Sequence, residues 1–179
     1  MISTQNLKDY NTIRLAGVVR ESIVDGPGLR FTVFCQGCPH DCEGCHNPAT
    51  HDFEGGYDCE ISKIIAAVDE NPLLDGVTFS GGEPMCQPEA FAALAGELKK
   101  RKLNIMVYTG YTYEELLRLA ETRPAIGKLL ELTDYLVDGR FVLAQRDLTL
   151  PFRGSANQRI LDMEKTREAG KPVLAEKYL

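Results

Sequence analysis

Four of the chain's six cysteines fall within eleven residues, at Cys35, Cys38, Cys42 and Cys45. No other feature limits the possible folds as much. A small disulfide-stapled domain spreads its cysteines along the chain, whereas thiols bunched this closely suit a metal centre or catalysis. The local order is Cys35-Gln-Gly-Cys38-Pro-His-Asp-Cys42-Glu-Gly-Cys45-His-Asn, which holds two Cys-x-x-Cys pairs three residues apart. A zinc ribbon separates its pairs by about 15 to 20 residues, because the chain must fold back to build a tetrahedron. A gap of three is too short for that. A bacterial ferredoxin run ends in Cys-Pro and brings a fourth cysteine to each cluster. Here Pro39 follows Cys38 instead, and the order of spacings is reversed. A third parsing takes Cys38, Cys42 and Cys45 alone, in Cys-x3-Cys-x2-Cys spacing. Three soft thiolates on a four-iron cluster leave one iron without a protein ligand, open to a substrate or cofactor. Cys35, Cys59 and Cys86 are then left over. They are expected to be structural or tolerated, since a buried thiol behaves as a small apolar side chain.

The chain has 179 residues, 44% apolar and 26% charged. That is ordinary for one soluble globular domain with a real core. It is short for a closed eight-fold β/α barrel, which typically needs about 250 residues and rarely fewer than about 200. Strand and helix patterns alternate. Leu29 to Phe34 reads as a strand that runs into the cysteines. Ile61, Ile64, Ile65 and Val68 share one helical face. Gly76 to Phe79 is a short apolar run before Ser80-Gly81-Gly82. Pro88 opens a helix, and Phe91, Leu94, Ala95 and Leu98 repeat the helical spacing. Asn104 to Tyr108 is the next strand, and Thr112 with Glu115 forms a capping box for another helix. Tyr135 to Val137 is a further strand. The pattern predicts an α/β domain with a largely parallel sheet, whose ligands bind beyond the carboxyl ends of the strands. Those ends carry glycine or cysteine. The loop-rich tail after Leu150 is expected to cover one side of the sheet.

The formal net charge is −6, which argues against a general nucleic-acid binder. The one basic run, Lys99 to Lys102, closes a predicted helix, where cations suit the negative end of the dipole. Met1 to Tyr10 is polar and lacks a signal-peptide core. No stretch approaches the roughly 18 apolar residues of a membrane span. A soluble, cytoplasmic protein without nucleic-acid or membrane partners is the expectation.

Set beside the other motifs, the Cys38, Cys42, Cys45 spacing resembles the signature of the radical S-adenosylmethionine enzymes. Ser80-Gly81-Gly82-Glu83-Pro84 resembles that family's Gly-Gly-Glu motif, which binds the methionyl amine. Paired glycines let the backbone approach a ligand closely. Asp25-Gly26-Pro27-Gly28-Leu29-Arg30, before the first strand, resembles the lead-in of glycyl-radical activating enzymes. Tyr108-Thr109-Gly110-Tyr111, Leu136-Val137-Asp138-Gly139-Arg140-Phe141 and Arg153-Gly154-Ser155-Ala156-Asn157-Gln158-Arg159 resemble the branch that activates anaerobic ribonucleoside-triphosphate reductase. The likeness runs from about Ile13 to Leu161.

The resemblance implies a partial, open β/α barrel of the radical S-adenosylmethionine type. It implies a single domain over 1–179, with a core of about 13–161 and extensions at both ends. It implies one 4Fe-4S cluster on Cys38, Cys42 and Cys45, and S-adenosylmethionine as cofactor. Gly81, Gly82 and Glu83 would hold the methionine end, with Thr109 and Gly110 at a neighbouring strand end. The family often has an aromatic residue just before the third cysteine, against the adenine. This chain has Gly44, so the backbone at Gly44 and the ring of His46 take that part. The implied activity is reductive cleavage to a 5′-deoxyadenosyl radical, which takes hydrogen from a glycine Cα of the large anaerobic reductase subunit. A low-potential electron donor such as a flavodoxin would supply the electron. An activase of another glycyl-radical enzyme such as pyruvate formate-lyase, a radical enzyme for a small molecule, and a plain electron carrier are the rivals. Arg140, Arg153 and Arg159 are candidates for pairing with a carboxylate, bracing a partner or forming surface ion pairs. The sequence does not choose.

Overall fold

Period-two alternation in the middle strands gives the sheet two unlike faces. In the computed structural model, which describes residues 10–178, β2 (Arg30–Cys35) sends Phe31, Val33 and Cys35 one way and Arg30, Thr32 and Phe34 the other. β4 (Gly76–Gly81) and β5 (Asn104–Tyr108) do the same: Val77, Phe79, Ile105 and Val107 join Phe31 and Val33 in the main core. Helices α1 (Ile61–Asp69), α2 (Pro88–Lys100), α3 (Tyr113–Thr122) and α4 (Pro124–Leu132) pack their apolar faces on that side. The opposite face carries Thr32, Thr78, Ser80, Met106 and Tyr108, and is far more polar. The polar segment 1–9 and Leu179 lie outside the described residues.

Adding β1 (Thr12–Ser22), β3 (Tyr57–Glu60), β6 (Tyr135–Asp138) and β7 (Arg159–Asp162) gives a seven-stranded sheet in the order β3-β1-β2-β4-β5-β6-β7. The expected largely parallel sheet is corrected to a mixed one. Only the central run β2-β4-β5-β6 is parallel, and the pairs β3-β1, β1-β2 and β6-β7 are antiparallel. The connections are the reason. Seven residues separate β1 from β2, and a parallel crossover needs roughly a dozen or more, usually with a helix. The connection from β6 to β7, residues 139–158, is long enough but holds only a 3-10 turn, Leu143–Gln145, and no crossover helix. The sheet does not close on itself, because β3 and β7 end the strand order without pairing with each other.

Local signals place the helices. Both bonds of the capping box form at α3: Glu115 N–H donates to Thr112 Oγ1, and Thr112 N–H to the Glu115 carboxylate. Three of the four cations in the basic run at the end of α2 are paired in place. Lys99 binds Asp134, Lys100 binds Glu97 and Arg101 binds Asp69. After α5 (Met163–Ala169), the chain returns along β7. Asp162 N–H donates to Val173 O and Ala175 N–H to Ile160 O. Tyr178 then packs its ring against Phe152 and Tyr135, over part of the polar sheet face. No helix among the described residues is long and apolar enough to cross a membrane.

The Asp25–Arg30 lead-in folds under that same face. Arg30 is 1% exposed. Its guanidinium donates to Thr78 Oγ1 at 2.7 Å, Val77 O at 2.9 Å, Pro27 O at 3.1 Å, and both oxygens of Asn104. Burial pulls its pKa down to about 10. Without Arg30, those carbonyls lose a charged donor in a place water reaches poorly. Arg30→Met is therefore expected to lower stability by about 2–4 kcal/mol, read as a fall in the urea midpoint at unchanged slope.

Candidate cluster and cofactor site

Beyond the carboxyl ends of β2, β4 and β5 lies a cavity of about 590 Å³, within the size range of a small-molecule site. Its floor is the polar sheet face, at Phe34, Ser80 and Tyr108. Its wall holds all three thiols of the Cys-x3-Cys-x2-Cys triad, Cys38, Cys42 and Cys45. The loop that carries them is tied down at both ends. Gly37 N–H donates to Thr50 O at 2.8 Å, Cys38 N–H to His51 O at 3.1 Å, and the Gln36 amide reaches Ala49 O and Asp52 O. Cys35 is elsewhere. It points into the helix-side core and is completely buried, which pushes its thiol far above the usual range.

The thiols suit an iron–sulfur cluster. Asn47 N–H donates to Cys45 Sγ at 3.4 Å, and the backbone at His40 and Phe141 favours the thiolate forms of Cys38 and Cys42. Such bonds favour thiolate and tune cluster potential. Burial pushes Cys38 up to about 11 and also raises Cys42. Without metal, the Cys38 and Cys42 thiols are thus protonated at neutral pH, and cluster loading releases protons. Among the described residues, no three His, Cys, Asp or Glu side chains are gathered tightly enough for a single metal ion. A four-iron cluster puts each thiolate on a different iron and asks for a wider triangle.

The glycine motif forms the next wall. Gly81 ends β4 at φ +94°, and a Cβ there would lie 2.6 Å from Cys35 N and 2.7 Å from Phe34 Cα. At Gly82 a Cβ would overlap the Gly37 carbonyl. Only glycines let this turn pass so close to the cysteine loop. Ser80, Gly81, Gly82, Thr109, Gly110 and His46 all line the cavity.

Two residues stand differently from the expectation. Gly44, at φ +72°, faces Leu143 and is not among the lining residues. Glu83 is fully buried behind the wall. Its carboxylate accepts from His40 Nε2 at 2.7 Å, Gly110 N–H at 2.8 Å and Met85 N–H at 2.9 Å. It joins the cysteine loop, the β5 end and its own turn, rather than facing the cavity.

Sequence reasoning gave no role to the cavity side chains Phe141, whose ring packs 5.1 Å from that of His46, and Tyr108, whose hydroxyl donates to Phe152 O, and it left Arg153, which also lines the cavity, as one of three undecided arginines. The Leu136–Phe141 and Arg153–Arg159 segments were visible as motifs. Their convergence on one cavity depends on the β6–β7 connection folding back.

Comparison with known proteins follows the same lines. The family model described as a 4Fe-4S single cluster domain matches residues 24–161, so the chain is built on that domain. Relatives of this chain include the anaerobic ribonucleoside-triphosphate reductase-activating proteins of Vibrio cholerae and Escherichia coli K12. The first is 39% identical over 147 residues, covering 77% of this chain and 90% of the relative. The second is 33% identical over 147 residues, covering 76% and 90%. The protein of that name from Enterobacteria phage T4 is 31% identical, covering 76% and 86%. The chain belongs to the anaerobic ribonucleoside-triphosphate reductase-activating protein family. A looser likeness is to the crystal structure of QueE from Escherichia coli, with a TM-score of 0.48 and 17% identity over 62% of this chain and 58% of that one. At that distance it bears on no residue here.

Proposed function

We propose that this chain is a radical S-adenosylmethionine enzyme that generates a glycyl radical on an anaerobic ribonucleoside-triphosphate reductase. The observation that carries the reading is the separation of the four clustered cysteines, in a chain of this family. Three share a cavity wall with the Gly81-Gly82 turn, and the fourth is sealed in the core. Cys38, Cys42 and Cys45 hold one 4Fe-4S cluster as its three protein ligands. When bound, cluster and cofactor supply one-electron cleavage of a carbon–sulfur bond, ending in hydrogen abstraction from a glycine Cα of the reductase.

The chain's own residues bind and orient. The carbonyls of Gly81 and Gly82 accept from the methionyl ammonium. Glu83 supports that turn from behind, by fixing Gly110 and His40. Thr109 and Gly110 border the cofactor. The His46 ring, beside Phe141, offers a flat face for the adenine, with Gly44 contributing through its backbone. An open β/α barrel within a single domain over 1–179, core about 13–161, belongs to this reading. An unclosed side admits a loop of the large reductase subunit, and that subunit helps exclude water and oxygen. A low-potential donor such as a flavodoxin and a cytoplasmic setting complete it.

The test is to reconstitute the chain anaerobically with iron and sulfide, reduce it, and add S-adenosylmethionine with the reductase subunit. A glycyl signal by electron paramagnetic resonance is expected. 5′-Deoxyadenosine without that signal, beside a competent reductase, points to a small-molecule substrate. An intact reduced cluster with no cleavage points to an electron carrier.

A further inference from the structure

We infer that Arg153 is the residue that binds the carboxylate at the amino-acid end of the cofactor. The inference rests on the functional reading above and adds a cationic contact to it.

Three arginines in the second half of the chain were candidates for a carboxylate, and the structure separates them. Arg159 is taken. Its guanidinium binds Asp138 and Glu114 together. Arg140 stands 3.6 Å from the Glu115 carboxylate and is half exposed. Among the described residues, Arg153 is the one lysine or arginine that lines the cavity. A zwitterion bound there meets a single permanent cation.

Arg153 is also incomplete. Nη1 donates to Gln158 O at 3.1 Å. Nε is buried without a hydrogen-bond partner, the only such side-chain nitrogen or oxygen among the described residues. A buried donor in a native protein normally has an acceptor. Guanidinium and carboxylate pair best as a fork, through two parallel N–H bonds, and neither Nε nor Nη2 makes a hydrogen bond among the described residues. Asp25 shares the cavity but is not that acceptor. It accepts from the Ser22 and Thr32 hydroxyls and makes no ion pair with Arg153.

The guanidinium is held ready. Phe152, on one side, accepts from Tyr108 Oη at 2.7 Å. Gly154, on the other, donates to Gln158 Oε1 at 2.9 Å, while Gln158 Nε2 donates to Gly139 O at 3.0 Å. A Cβ at Gly154 would lie 3.2 Å from the His46 ring, so this segment abuts the residue after Cys45. Burial of Nε and closeness to the triad favour a small ligand inside the cavity over a side chain from a docked protein. Preorganisation lowers the entropy lost on binding.

The experiment uses the cluster-loaded chain under anaerobic conditions. Dissociation constants are measured for S-adenosylmethionine and for decarboxylated S-adenosylmethionine, which differ only in the carboxylate. Wild type, Arg153→Met and Arg153→Lys are compared. Arg153→Met should weaken S-adenosylmethionine about ten- to a hundredfold and leave the decarboxylated compound unchanged, which also shows the cavity is intact. Arg153→Lys should fall between, keeping the charge and losing the fork. Equal affinities for S-adenosylmethionine in wild type and Arg153→Met overturn the assignment while the functional reading stands. Equal affinities with weaker binding of the reductase subunit overturn it in favour of a carboxylate on the partner. A loaded wild type that binds no S-adenosylmethionine overturns both.

Discussion

Cys38→Ala, Cys42→Ala and Cys45→Ala are each expected to abolish S-adenosylmethionine cleavage and four-iron loading, whereas Cys35→Ala keeps both. The four cysteines look equivalent in the sequence, as two Cys-x-x-Cys pairs. The sheet separates them. Cys35 is the last residue of β2 and follows its alternation onto the helix side, among Val33, Phe79 and Phe91. The chain then leaves the sheet, and the next three cysteines lie on a pinned loop whose thiols face the cavity. To ligate a cluster there, Cys35 would have to abandon the core and reverse the register of β2, which a period-two strand does not permit locally. Its loss removes one small buried side chain, at about 1–2 kcal/mol. Loss of a triad member removes a thiolate that nothing nearby replaces, since no other cysteine lines the cavity. Iron and sulfide per chain, the resonance of the reduced cluster, and 5′-deoxyadenosine formation check this together. Empty but folded Cys35→Ala protein would place Cys35 among the ligands.

Legibility tracked how local the signal was. β2, β4, β5 and β6 sit in the middle of the sheet, so their apolar runs stood out, and α1 to α3 carried helical spacing or a capping box. β1 was not legible, because it is a strand exposed along most of its length after Leu15. β3 is four residues, Tyr57 to Glu60, with none buried. β7 is also four residues and carries Arg159 at its start. α4, which begins at Pro124 one residue after α3 ends its turn, lacked a break in composition to mark it. Missing these edge elements is what made the sheet look largely parallel, since every antiparallel pair involves one of them. Site residues divide the same way. Cysteines and glycines at strand ends are local and could be read. Phe141 and Arg153 reach the cavity only because residues 139–158 double back. Glu83 was visible as an acceptor in a glycine motif, but its direction depends on His40 and Gly110, which lie 43 and 27 residues away.

Glu83→Ala is the second large effect. It is expected to lower stability by about 3–5 kcal/mol and to speed iron loss to a chelator. The carboxylate is fully buried and accepts from three donors, none of which has another partner nearby. Each buried donor left unsatisfied costs about 1–3 kcal/mol, and the costs overlap because the three loops relax together. The consequence is local as well as global. His40 lies between Cys38 and Cys42, so freeing it loosens the segment that spaces two of the three thiols, while freeing Gly110 loosens the end of β5. Glu83→Gln should be milder. One amide oxygen can serve His40 and Gly110 or else Met85, but its NH₂ then faces a donor, so at least one bond is lost. Urea midpoints and iron release rank the variants as wild type, Glu83→Gln, Glu83→Ala. The sequence motif alone predicts another result, because a carboxylate that receives the methionyl ammonium could be removed with little change in folding and a large loss of S-adenosylmethionine affinity. A Glu83→Ala protein that melts and holds iron like wild type, yet fails to bind S-adenosylmethionine, would put the carboxylate in the cavity and not behind its wall.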